Sequence, residues 1–277
     1  MRAILFAIAA MFSIGAADFW GALGSREGRP TAVAAWSQGL GIIGVLAALP
    51  LVGGAPSSAD LAYGAAAGVA VGLGLMSLYL GFARAPIGVI APVASIVTVS
   101  IPVLLGIFQG ERPSQLAILG IGFGVAGVGL VGAGRIASVD GRAAGFLLGF
   151  AAGVGFGLGL ALLGNTAEAS GLWPLAASRI MATASIVTFT VLVSRSLHPV
   201  RASYRYILLA AVFGSFGLGL FTIAIQTGPL TAVGVITAMF PAVTVALAAI
   251  VAHERLLPRQ LAGVVLTIVA VVMITAA

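Results

Sequence analysis

Few residues in this chain could do chemistry, and most of them sit inside long apolar runs. Asp18 and Arg179 are charges placed within such runs. A charge near mid-bilayer costs several kcal/mol, so such a residue suggests a functional site by default. Asp18 could bind a proton or a substrate ammonium, or could anchor the end of its helix beside Trp20. Arg179 could contact substrate, form part of a gate, or snorkel to the interface. Two further charged pairs, Glu111-Arg112 and Glu254-Arg255, each follow a long apolar run and precede another. Small polar residues fall at helical spacing in two places. Ala91, Ser95, Thr98 and Pro102 share one face; Gly234, Thr237, Pro241 and Thr244 share another. These faces could line a cavity or serve close helix packing, since Ser and Thr also bond back to their own helix.

Other chemistries find little support. His198 and His253 have no nearby metal-ligand or triad partner, and the acidic residues are dispersed. The absence of cysteine removes thiol chemistry and Cys-ligated metals. No cofactor is expected. A lipid-modifying enzyme would need convergent acidic, His or Ser groups near one interface, and the sequence shows none. A channel would call for a filter loop or oligomer symmetry. GFGLGL resembles a nucleotide loop but has no strand before it.

The elements that must position these residues follow from composition. The chain is 61% hydrophobic and 7% charged, with mean hydropathy +1.20. A soluble domain carries roughly 25% charged residues. The class is therefore an all-α polytopic membrane protein partnered by the lipid bilayer. A pI near 11.1 could suggest nucleic acid, but the thirteen basic residues are all Arg and are scattered between apolar runs as loop anchors.

A span needs roughly 20 apolar residues. Ten segments qualify: 3–23, 32–53, 60–81, 86–108, 115–134, 144–164, 172–194, 204–224, 229–251 and 257–276. The first resembles a signal peptide but has a counterpart in the second half, so it is read as a transmembrane helix. Gly64, Gly68 and Gly72 lie on one face of the third segment. Gly145, Gly149, Gly153 and Gly157 do the same in the sixth; such faces let helices approach closely in lipid. Prolines inside segments, Pro92 and Pro102 in the fourth and Pro241 in the ninth, are expected to bend them and serve as gates.

The two halves repeat. At a shift of 143, Pro86, Leu104, Ile107, Glu111-Arg112 and Gly120 fall on Pro229, Leu247, Ile250, Glu254-Arg255 and Gly263. At a shift of 142, Ala9-Ala10 and Gly15 fall on Ala151-Ala152 and Gly157. Segments 1–5 thus recur as 6–10. Five is odd, so the second copy enters the membrane inverted, as in many secondary transporters whose site lies between the halves. The expected units are 1–137 and 138–277, forming one integral body.

Ten helices in two five-helix copies, with a helix closing on Gly-Glu-Arg, resemble the drug/metabolite transporter superfamily, EamA type. The chain is also similar to amino-acid exporters of the YddG kind. The resemblance covers the whole chain. It departs from the family pattern at Thr98, where the family carries a proline and this chain places one a turn later, at Pro102. The resemblance implies export of a small amphipathic solute, foremost a neutral or aromatic amino acid, by a monomer in the bacterial cytoplasmic membrane. It also implies a central cavity, with segments 5 and 10 outside. Carried onto this chain, the lining comprises Phe12, Ser13, Tyr79, the two small polar faces, Phe156, Ser215 and Phe216.

Orientation is open. Ten arginines (26, 29, 84, 135, 142, 195, 201, 205, 255 and 259) follow odd-numbered segments, and only Arg2 and Arg112 lie opposite. The positive-inside rule places the termini outside; the resemblance implies termini in the cytoplasm. Glu near the start of the next helix is expected to complement that helix's dipole.

Overall fold

The computed structural model describes residues 2–84, 87–132, 142–194, 196–253 and 257–276. Side chains at 26, 79–92, 95, 131–144, 193–195, 241, 245, 254–256 and 275 are outside the described set. The described residues are helical, with no strand among them. The helices are α1 (Arg2–Glu27), α2 (Pro30–Val52), α3 (Ser58–Arg84), α4 (Ile87–Phe108), α5 (Gln115–Gly132), α6 (Arg142–Gly164), α7 (Trp173–Ser194), α8 (Tyr204–Thr227), α9 (Leu230–Ala238), α10 (Phe240–Ile250) and α11 (Pro258–Thr275). Among the described residues, seven spans are long and apolar enough to cross a membrane, and three shorter apolar helices cover Ile96–Phe108, Gln115–Leu130 and Pro258–Ile274.

The expected ninth segment is one span, Leu230–Ile250, built from two helices. Pro241 has no N–H to offer the Thr237 carbonyl, so the helical ladder stops there. Met239 turns to ψ 3°, and its N–H bonds the Ile236 carbonyl at 3.2 Å, a tighter turn than α. The fourth segment behaves differently: α4 runs unbroken through Pro92 and Pro102. Pro102 lies against α9, where a Cβ on Gly234 would stand 2.6 Å from the Pro102 Cβ.

Seven of these spans and α4 close into a ring. α1 packs on α8, α8 on α2, α2 on α7, α7 on α3, α3 on α6, α6 on α4, α4 on α9, and the α9–α10 span on α1. Each helix from the first half of the chain thus lies between two from the second. α5 and α11 pack antiparallel on each other outside α4 and α10: Gly120 meets Ile274, and Gly127 meets Gly263 and Thr267.

Glycine sets the spacing of the seams. A Cβ on Gly64 or Gly68 would stand 2.1 or 2.2 Å from the Pro174 or Ser178 carbonyl of α7. A Cβ on Gly153 would stand 2.6 Å from the Ala94 carbonyl of α4. Such contact places main chain against main chain, where dispersion drives association in lipid.

The face holding the start of α1, here the termini face, is tied shut. Asp60, at the start of α3, accepts bonds from Ser57 Oγ (2.8 Å), Ser170 Oγ (2.5 Å) and the Ala167 N–H (3.1 Å). The Ala55 N–H bonds the Ala169 carbonyl at 2.8 Å. Gln109 Nε2 donates to Asn165 Oδ1 at 2.9 Å, and Gln226 Nε2 to Thr166 Oγ1 at 3.0 Å. Glu111 does not serve α5, the helix that follows it. Its carboxylate accepts the Leu230 N–H (2.5 Å), the Thr231 N–H (2.8 Å) and the Thr231 hydroxyl. It therefore caps α9 from the other half of the chain. The N-cap residue of α9 is Pro229, which has no side-chain bond to give. Glu254 and Arg255 lie outside the described residues. Beneath these ties Leu175, Phe221, Ile236 and Met239 are fully buried.

Candidate functional site

Four of the hydroxyls expected to line a cavity reach backbone carbonyls of a neighbouring helix. Ser13 Oγ, buried on α1, donates to the Phe213 carbonyl of α8 at 2.8 Å. Ser215 Oγ contacts the Gly41 carbonyl of α2 (3.0 Å) and the Ala211 carbonyl (2.7 Å). Thr98 bonds the Ala94 carbonyl at 2.8 Å and reaches the Gly153 carbonyl of α6 at 3.4 Å. Thr244 reaches the Gly15 carbonyl of α1 at 3.1 Å. A hydroxyl without water takes the nearest carbonyl, and close Gly-rich seams bring those carbonyls within reach. Thr237 differs: it is fully buried, and its hydroxyl has no partner.

The aromatic candidates divide. Phe12 is 56% and Phe216 62% exposed. On α1, Phe12 lies with Leu5 on the arc away from the interior. On α8, Phe216 lies with Leu208 and Val212 on such an arc; all these residues are exposed. Both phenylalanines therefore lie on the outward arcs of their helices. Phe156 is half-buried and lies between the α3-facing Gly155 and Gly159 and the α4-facing Gly153 and Gly157. Leu147 and Leu158, exposed on α6, lie on the side opposite Phe156. The side chains of Tyr79, Ala91, Pro92, Ser95 and Pro241 lie outside the described residues.

A different polar group gathers inside the ring, where α1, α8, α2 and α7 adjoin. On α1, Gly15 faces α10 and Ile14 faces α8 at Gly217. Asp18 falls on the arc between them, above the buried Ala7 and Met11, and is itself exposed. On α2, Gln38 lies between Gly39, which faces α7, and Gly41, which faces α8. Arg179 of α7 is 5% exposed. Its Nη1 donates to Gln38 Oε1, while Nε and Nη2 are buried without a hydrogen-bond partner. A Cβ on Gly214 of α8 would stand 3.4 Å from Arg179 Nη2 and 3.6 Å from the Ala17 Cβ. The guanidinium and Ala17, the residue before Asp18 on α1, thus abut the same point of α8. Arg179 does not snorkel; it runs inward. Gln38 escaped the sequence reading. Its signal was an amide carried inside an apolar run, with its Arg partner 141 positions away.

Two concavities open elsewhere. One of about 650 Å³ lies on the termini face among Arg2, Glu168, Gln226 and Gly228. The other, about 370 Å³, lies beside Pro50, Gly54 and Trp173. Neither contains the Asp18–Gln38–Arg179 group. No cluster of His, Asp or Glu among the described residues could hold a metal ion.

An apolar chain whose described residues are helical, with seven spans long enough to cross a membrane, is an integral membrane protein. A family model for EamA-like transporters matches residues 1–133 and again 143–276. The chain belongs to the EamA-like transporter family, within the drug/metabolite transporter superfamily, whose members are membrane transporters and not enzymes. No curated protein matches it. A solved crystal structure, described only as that of a protein, has TM-score 0.75 and 19% identity over 97% of this chain and 96% of its own. At that identity the likeness shows the fold alone.

Proposed function

We propose that this transporter exports small amphipathic solutes, foremost neutral or aromatic amino acids, by alternating access. Ten transmembrane helices would form two inverted five-helix repeats, residues 1–137 and 138–277, and the protein would act as a monomer in the bacterial cytoplasmic membrane. The observation that carries this reading is the ring in which helices of the two halves alternate, tied at one face. In such a ring, rocking one half against the other changes every seam together, and both halves line what lies between. The inverted reading is supported by two corresponding contacts. Gly15 of α1 packs on Phe240 and Val243, and Gly157 of α6 packs on Thr98 and Ile101.

The broken α9–α10 span is the natural gate, since its hinge at Met239 already lacks a helical bond. Phe156 and the Asp18–Gln38–Arg179 group face the solute in this reading, with Asp18 able to take a proton or an ammonium. The excess of Arg opposite the termini places that face in the cytoplasm. A reporter active only in the cytoplasm, fused to the C-terminus, is predicted to be inactive; activity would reverse the orientation. Purified protein in liposomes should catalyse saturable flux of a neutral or aromatic amino acid. Flux of a sugar phosphate or a cationic drug, with none of amino acids, would remove the substrate assignment.

A further inference from the structure

The geometry points to a zwitterion site at the corner of α1, α2, α7 and α8, in which Arg179 takes a carboxylate and Asp18 takes an ammonium. This inference rests on the transporter reading and assigns its recognition chemistry. A guanidinium presents donors along three edges. The edge formed by Nε–H and Nη2–H offers two parallel donors that match the two oxygens of a carboxylate. In Arg179 that edge is buried and unpaired. Nη1 is held by Gln38, while Nε and Nη2 are buried without partners.

A buried cation kept inside a membrane bundle without a counter-charge is costly, and its usual resolution is pairing. The Arg179–Gln38 bond fixes the guanidinium and leaves the matching edge for a ligand. Gly41 and Gly214 make room for the guanidinium itself. A Cβ on Gly41 would stand 3.1 Å from Nη1, and one on Gly214 would stand 3.4 Å from Nη2. Asp18 follows Ala17, whose Cβ lies against the same part of α8. It is exposed on the inward arc of its helix and supplies the opposite charge. The two poles stand on helices from different halves of the chain. A solute bridging them would therefore be sensitive to the movement of one half against the other.

The test uses the full-length protein in detergent with radiolabelled phenylalanine and two competitors. Phenylalaninamide lacks the carboxylate, and 3-phenylpropionate lacks the ammonium. Each is expected to compete about 10- to 100-fold more weakly than unlabelled phenylalanine, the effect of losing one charge-assisted contact. Arg179→Lys keeps the charge but not the two-donor edge. It should weaken phenylalanine and 3-phenylpropionate by about tenfold or more while leaving phenylalaninamide unchanged. Asp18→Asn should weaken phenylalanine and leave 3-phenylpropionate unchanged.

Equal competition by the amide, wild-type affinity in Arg179→Lys, or no binding of phenylalanine overturns the site. The competitor series needs no variant, so a poorly folding Arg179→Lys leaves the proposal testable. Arg179-dependent binding without any flux would overturn the transporter reading alone. Saturable flux of a solute without a carboxylate, unchanged in Arg179→Lys, would overturn this site alone.

Discussion

Substituting Glu111 should loosen the termini face without unfolding the protein. Its carboxylate holds the first two N–H groups of α9 and the Thr231 hydroxyl across the seam between halves. These are orphan donors at a helix start, and Pro229 offers no substitute cap. Hydrogen bonds to a charged partner contribute about 1.5–3 kcal/mol, and neutral ones about 0.5–1.5 kcal/mol. Glu111→Gln keeps the shape and one acceptor oxygen, so the expected loss is about 1.4 kcal/mol, a tenfold rise in the opened population.

The chain has no cysteine, so a single Val233→Cys gives a clean reporter. Val233 is fully buried behind the Glu111 cap. When local opening is fast relative to reaction, maleimide labelling tracks the opened fraction. The rate in Glu111→Gln should rise about tenfold over the parent, and more in Glu111→Ala. Arg112→Gln, an exposed neighbour, should leave it unchanged. Labelling within about twofold of the parent in both Glu111 variants would refute the idea that this carboxylate latches the face.

Three further outcomes follow from the packing. Asp60→Ala would leave the Ser170 hydroxyl and the Ala167 N–H without their carboxylate, and should cost about 2–4 kcal/mol in detergent unfolding; a loss below about 0.5 kcal/mol would contradict its role as a clasp. Gly68→Ala drives a Cβ onto the Ser178 carbonyl and should lower stability by about 1–3 kcal/mol. Gly122→Ala, which meets nothing within 4 Å, should be neutral or mildly stabilising, and equal effects at the two positions would count against the seam. Pro241→Ala restores a donor for the Thr237 carbonyl and should straighten the α9–α10 span. Interconversion between faces should slow, so unchanged turnover would remove the hinge from the mechanism.

Helix positions were legible in the sequence because lipid imposes length and apolarity together. The ten expected segments fall within a few residues of the described helices. The break at Pro241 was legible too, since a missing N–H acts locally. That Pro102 would not break α4 was not, because its effect depends on neighbouring helices. The bonding partners of the small polar faces were not legible for a related reason. Spacing shows that Thr98 and Thr244 occupy given faces, but not that a glycine carbonyl of another helix lies within bonding range. Glu111 shows the same limit, as its partners lie 119 and 120 positions away. Asp18 and Arg179 stood out by charge alone; only the structure brings them to one corner and adds Gln38.

The most direct test of alternating access is counterflow. Liposomes containing the protein, preloaded with unlabelled phenylalanine, are diluted into a trace of the labelled amino acid. A carrier that exposes one site to each face in turn should accumulate label transiently above equilibrium, with a saturable initial rate. Flux that stays linear with concentration and gains nothing from the internal load would contradict the account.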